Sequence, residues 1–164
     1  MKNNTLITII TLFFCLVSCK NKGTSISKTT QSKESITKSI QQMKSYVSIF
    51  EIPATNITRA VNFYKEILGI EIERFHFPEM EMGVFPYEGQ MVTGVIIQGE
   101  GYEPSASGVT IYLNSGDNLQ TIIDKVEEHG GKVMIPKTPH ADENGYFAIF
   151  LDSEGNKIGL HSPN

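Results

Sequence analysis

The apolar pattern of this sequence runs through the same order of elements twice, and that repeat limits the folds open to it. Tyr46–Ile52 alternates as a strand does. Asn56 is placed to cap a helix. Ile57, Ala60, Val61, Tyr64, Ile67 and Leu68 then fall on one helical face, and Gly69 is placed to end it. Strand patterns follow over Ile70–His76, Glu81–Tyr87 and Met91–Gln98. After the turn-rich stretch Gly99–Ser107 the order restarts. Gly108–Asn114 reads as a strand, and Leu119, Ile122, Ile123 and Val126 form a helical stripe closed by Gly130-Gly131. Strand patterns return over Lys132–Ile135, Gly145–Leu151 and Lys157–His161, the last two joined by a tight turn at Asp152–Asn156. The chain reads βαβββ twice, an α+β arrangement. Two such units are long enough to bury a real core.

Residues 1–19 have another character. Lys2 gives a positive head, and Leu6–Val17 is largely apolar. Twelve residues of helix rise roughly 18 Å, short of the ~30 Å hydrocarbon core, so this is an export signal rather than a stable span. It ends Leu16-Val17-Ser18-Cys19, which resembles the bacterial lipobox. That resemblance implies a lipid anchor on Cys19; Cys15 follows the bulky Phe14 and fits less well. Cys15 and Cys19 are the only cysteines, so no disulfide framework or Cys-based zinc site exists farther along the chain. Residues 20–45 are rich in Ser, Thr, Lys and Gln without an aromatic; they read as a flexible tether. The expected organisation is signal peptide 1–19, tether 20–45 and domain 46–164, held at the cell envelope outside the cytoplasm.

Charge is unevenly spread. Residues 20–45 carry six Lys and one Glu, whereas 46–164 carry seven Lys and Arg against seventeen Asp and Glu. An acidic domain argues against nucleic acid as a partner, because that binding needs basic surface to displace counterions. It favours a neutral or cationic small ligand.

The segment from Phe50 to Gly69, with Phe63-Tyr64 followed by Leu68-Gly69, resembles the opening of vicinal oxygen chelate proteins. The ending Phe150-Leu-Asp-Ser-Glu-Gly-Asn-Lys-Ile-Gly-Leu-His161 is similar to their closing hairpin. That superfamily includes glyoxalase I, extradiol dioxygenases and bleomycin-resistance proteins. The resemblance covers residues 46–162 and implies paired βαβββ modules curled into a ligand cup. Relatives often pair, so a homodimer is an expectation, although both modules of one chain suffice for one cup.

Strand alternation assigns faces. Phe50, Ile52, Val109, Ile111, Leu113, Ile158 and Leu160 are expected to pack under the helices. Ile49, Glu51, Pro53, Gly108, Thr110, Tyr112, Lys157, Gly159 and His161 are expected on the cup side. Metal-dependent relatives place ligands at positions that correspond here to Ile49, Gly108 and Gly159, with a fourth near Gln98 or Glu100. Ile49, Gly108 and Gly159 have no ligating side chain, so no cofactor is expected; a divalent metal at a displaced site is the alternative. Glu51, Tyr112 and His161 are the candidate ligand-binding residues. His140 lies in Pro136–Gly145, which reads as a loop able to cover the cup.

Three functions are consistent with this pattern. The first is metal-free binding of a small molecule. The second is a lactoylglutathione-lyase-like lyase, isomerase or dioxygenase with a displaced metal or acid–base site at Glu51 and His161. The third is a non-catalytic envelope scaffold.

Overall fold

The structure is a computed structural model and describes residues 45–164. The expected signal peptide, its Cys19 anchor and the tether up to residue 44 lie outside the described residues.

The described chain contains β1 (Ile49–Pro53), α1 (Ile57–Leu68), β2 (Glu73–Phe77), β3 (Met80–Val84) and β4 (Thr93–Gly99). It continues with β5 (Ile111–Asn114), α2 (Gln120–Val126), β6 (Lys132–Pro139), β7 (Tyr146–Leu151) and β8 (Lys157–Ser162). Each βαβββ unit forms its own four-stranded mixed sheet, ordered β1-β4-β3-β2 and β5-β8-β7-β6. The first and last strands of each unit pair in parallel, and the remaining neighbours are antiparallel. The doubled α+β pattern is therefore present, as two open sheets.

Helix α1 forms where the sequence placed it. The Asn56 side chain accepts a hydrogen bond from the Arg59 amide, and Gly69 closes the helix at φ 66°, its N–H donating to the Lys65 carbonyl. The buried face of α1 joins a core shared by both units. In it Phe63 stands 6.0 Å, centroid to centroid, from Phe150 of β7. Ile52, Leu113, Ile158, Leu160 and Phe150 enter this core and Phe50 packs against it, as alternation requires. Burial of such side chains stabilises by roughly 1.5–3 kcal/mol each.

Three expectations need correction. Val109 does not pack under a helix; it is 86% exposed. The chain turns at Gly108, φ +97°, and β5 begins only at Ile111, so neither Gly108 nor Val109 belongs to a strand face. Residues 136–139 are not loop. They extend β6, whose position at the sheet edge tolerates Pro136 and Pro139, with register shifts between Val133 and Thr138. The true turn is His140–Gly145, closed by the His140 N–H donating to the Gly145 carbonyl at 2.9 Å.

Candidate functional site

Each sheet has one face under the helices and one open face. On the first sheet the open face carries the row Glu51, Val95, Val84 and Glu73, and next to it Pro53, Ile97, Met82 and Phe75. Val95 and Ile97 are buried yet stand outside the shared core. On the second sheet one row is Tyr112, Gly159, Ile149 and Ile135, and the next is Asn114, His161, Phe147 and Thr138.

Tyr112 and Gly159 determine each other. A Cβ at Gly159 would run into Cγ, Cδ1 and Cε1 of the Tyr112 ring. The phenol lies over the backbone where a longer side chain would stand. It remains 47% exposed, so one ring face is offered to solvent. His161 and Tyr112 are thus neighbours in adjacent rows, as expected. The Nε2 of His161 lies 3.0 Å from the Asn144 carbonyl. A carbonyl only accepts, so Nε2 carries the proton.

Glu51 lies apart from that pair. It lines a cavity of about 150 Å³ together with Glu103, Ser105 and Lys157. Lys157 and His161 are four residues apart on β8, roughly 13 Å of strand rise. Glu51 and Lys157 mark one end of the open face, and His161 marks the other.

His140, read from sequence as part of a loop able to cover the cup, stands beside His161. Its ring packs on Phe147 at 4.9 Å and on His161 at 5.3 Å, centroid to centroid. The signal was the β6–β7 register, which aligns Thr138 with Phe147 and Phe147 with His161. The turn beyond it is held by Asp142. Hydrogen bonds from the Asn144 side chain and amide lower the pKa of its carboxyl.

The positions expected to ligate a metal do not form a ligand set. Ile49 is apolar, Gly108 sits in a turn, and Gly159 lies beneath Tyr112. Gln98 points to the helix side, where its Oε1 accepts the Ile57 amide at 2.8 Å and caps α1. Glu100 follows β4 in a turn. Among the described residues no group of three or more His, Cys, Asp or Glu side chains is placed to hold a metal ion.

A second polar cluster locks the two units together. The Tyr64 hydroxyl, fully buried, donates to Asp152 Oδ2 at 2.7 Å. Burial, then the adjacent carboxylate, pushes the phenol well above its ordinary pKa. Asp152 also accepts the Glu154 and Asn156 amides, and Asn156 donates to the Pro53 carbonyl. Glu154 accepts the Thr55 and Asn56 amides and a two-point contact from Arg59. Every one of these groups has a partner, so the cluster is a fastener rather than a reactive site.

The comparisons agree with this geometry. The family model described as Glyoxalase/Bleomycin resistance protein/Dioxygenase superfamily matches residues 46–160. A glyoxylase-like domain-containing protein of Didymella fabae is 31% identical over 116 residues, covering 67% of this chain and 88% of that protein. Among solved structures, glyoxalase I from Zea mays aligns with a TM-score of 0.57 at 19% identity, over 71% of this chain. The chain spans only 45% of that maize protein. TnmS3, an antibiotic binding protein from Streptomyces sp. CB03234, aligns at 0.54 with 24% identity, over 75% of this chain and all of its own. The fold, the matched span and the curated relative together place the chain in the glyoxalase/bleomycin resistance protein/dioxygenase superfamily.

Proposed function

We propose that this protein binds a small organic molecule on the open face of its sheets, without a metal centre, while anchored at the cell envelope through Cys19. The observation that carries the reading is the Tyr112 ring lying over Gly159. It fills an expected ligand position with an aromatic surface, and Phe147, His140 and His161 extend that surface along the sheet. A sheet face turned only to water is ordinarily polar; this one supplies stacking surface for a flat, unsaturated ligand. The acidic balance of residues 46–164 favours a cationic one. The similarity to an antibiotic binding protein supports sequestration as the form this binding takes. The enzyme reading is weaker, because Glu51 lines a cavity that His161 does not and has Lys157 for company.

The test is a titration with acridine orange, a flat cation, in protein dialysed against EDTA. Micromolar binding, weakened at least fivefold in Tyr112→Ala and in Phe147→Ala, is expected. Near-stoichiometric Zn, Ni, Mn or Fe in the purified protein, with binding lost on dialysis, would overturn the metal-free reading.

A further inference from the structure

One cavity among the described residues is lined by none of Tyr112, Phe147, His140 and His161. It has a volume of about 610 Å³, within the range of small-molecule sites. Phe50, Gly94 and Leu113 belong to the helix-bearing faces of their strands, and all three line it. The end of α1 contributes Leu68, and α2 contributes Ile122 and Lys125. The cavity is therefore a cleft between the two units; Asn114, from the His161 row, reaches its edge, but Tyr112 and His161 do not line it.

Two features give this cleft a chemistry. Its walls are largely apolar, with Gln90, Asn114 and Ser115 among them, and only partly covered: Phe50, Leu68 and Ile70 pack against the core without being buried by it. Its charge is also opposite to that of the domain. Residues 46–164 carry ten more acidic than basic side chains, yet among the described residues no Asp or Glu lines the cleft, and Lys125 is the one charged residue that does. The Lys125 ammonium donates to the Glu66 carbonyl at 3.3 Å, which fixes it at the end of α1. It forms no ion pair among the described residues. An ammonium has three donors, so two remain for a ligand. Thr121, one helical turn before Lys125, stands at the same rim, but its hydroxyl donates to the Asn118 carbonyl at 3.1 Å, which leaves Lys125 as the donor for a ligand.

We propose that this cleft is a second binding site, for an amphipathic monocarboxylate whose apolar chain lies along Phe50, Leu68 and Ile122 and whose carboxylate meets Lys125. It shares none of Tyr112, Phe147, His140 and His161 with the open face, and the two sites prefer ligands of opposite charge.

The chain has no tryptophan, so a single introduced one reports on its own surroundings. The full chain is prepared as Val92→Trp, on the cleft, and as Tyr112→Trp, on the open face. Each is titrated with decanoate, decanol and decylammonium. Decanoate is expected to shift the emission of the cleft reporter and leave the open-face reporter unchanged. Shortening to octanoate and then hexanoate weakens binding by about threefold to fourfold for each methylene removed. Lys125→Gln weakens decanoate about tenfold and leaves decanol unaltered. If Val92→Trp misfolds by circular dichroism, Thr121→Trp takes its place.

Equal binding of decylammonium overturns the proposal, as does a decanoate-to-decanol ratio unmoved by Lys125→Gln. A cleft reporter that answers to protein concentration and not to decanoate also overturns it, in favour of contact between copies. Failure at the open face leaves the cleft reporter's response intact, so the two readings fail separately.

Discussion

Tyr112 and Gly159 show how one residue's identity depends on another's ring. Replacing Gly159 with alanine drives a methyl into the Tyr112 ring, and the half-exposed ring escapes by swinging outward. Gly159→Ala is therefore expected to cost about 1–2 kcal/mol in urea denaturation, and Gly159→Ala combined with Tyr112→Ala to recover most of it. A double variant no more stable than Gly159→Ala alone would show that the ring is not the cause. Gly131 is the contrasting case. A Cβ there stands 2.7 Å from the Leu151 carbonyl oxygen and 2.9 Å from Phe63, in backbone and core that cannot swing away. Neither demand is visible in a run of letters, where both positions read only as turn or strand glycines.

At the scale of elements, the turn between β7 and β8 fastens the start of α1. Partial burial opposes the charge on Glu154. Hydrogen bonds from Arg59, Thr55 and Asn56 outweigh it and hold the carboxyl below its ordinary range. A carboxyl with a depressed folded pKa gives its full stabilisation above its unfolded value, here 4.5. That contribution is lost as pH falls through the lower folded value. Glu154→Gln should thus cost about 1 kcal/mol at neutral pH, modest because Arg59 is half exposed. The gap from wild type should close below pH 4.5; a gap of constant size in thermal melts from pH 7 to 3 would contradict this. Elements with local signals were legible in the sequence: Asn56 and Gly69 bound α1 as expected, and Asp152–Asn156 makes the expected turn. The ties of Gln98 to Ile57 and of Glu154 to Asn56 span 41 and 98 residues, and no local pattern encodes them. The β5 boundary was misread because Val109 continues the alternation, whereas the Gly108 conformation that ends it leaves no mark. Residues 136–139 were misread because β6 passes through two prolines that read as loop.

For the whole molecule, Tyr64–Asp152 and Phe63–Phe150 cross from one βαβββ unit to the other. The two units therefore share one core and the described domain needs both. The same scale bears on where the protein resides. If Cys19 is the anchor, Cys19→Ser should move the protein from the membrane pellet to the soluble fraction with an unchanged melting temperature. A variant still found with membranes would end the lipid reading.

The clamp on α1 has a consequence for how the protein is made. The carboxylate that closes the helix's first turn is encoded 98 residues after the amide it accepts. While the ribosome is still at the middle of the message, the amides of Thr55 and Asn56 face water and the Phe63 ring has no Phe150 to meet. Closing so long a loop is slow, and the fold cannot lock until the last hairpin has been synthesised. If residues 1–19 direct export, a nascent chain that stays open for that interval can still be threaded through a translocation channel, and it locks only once its final strands arrive.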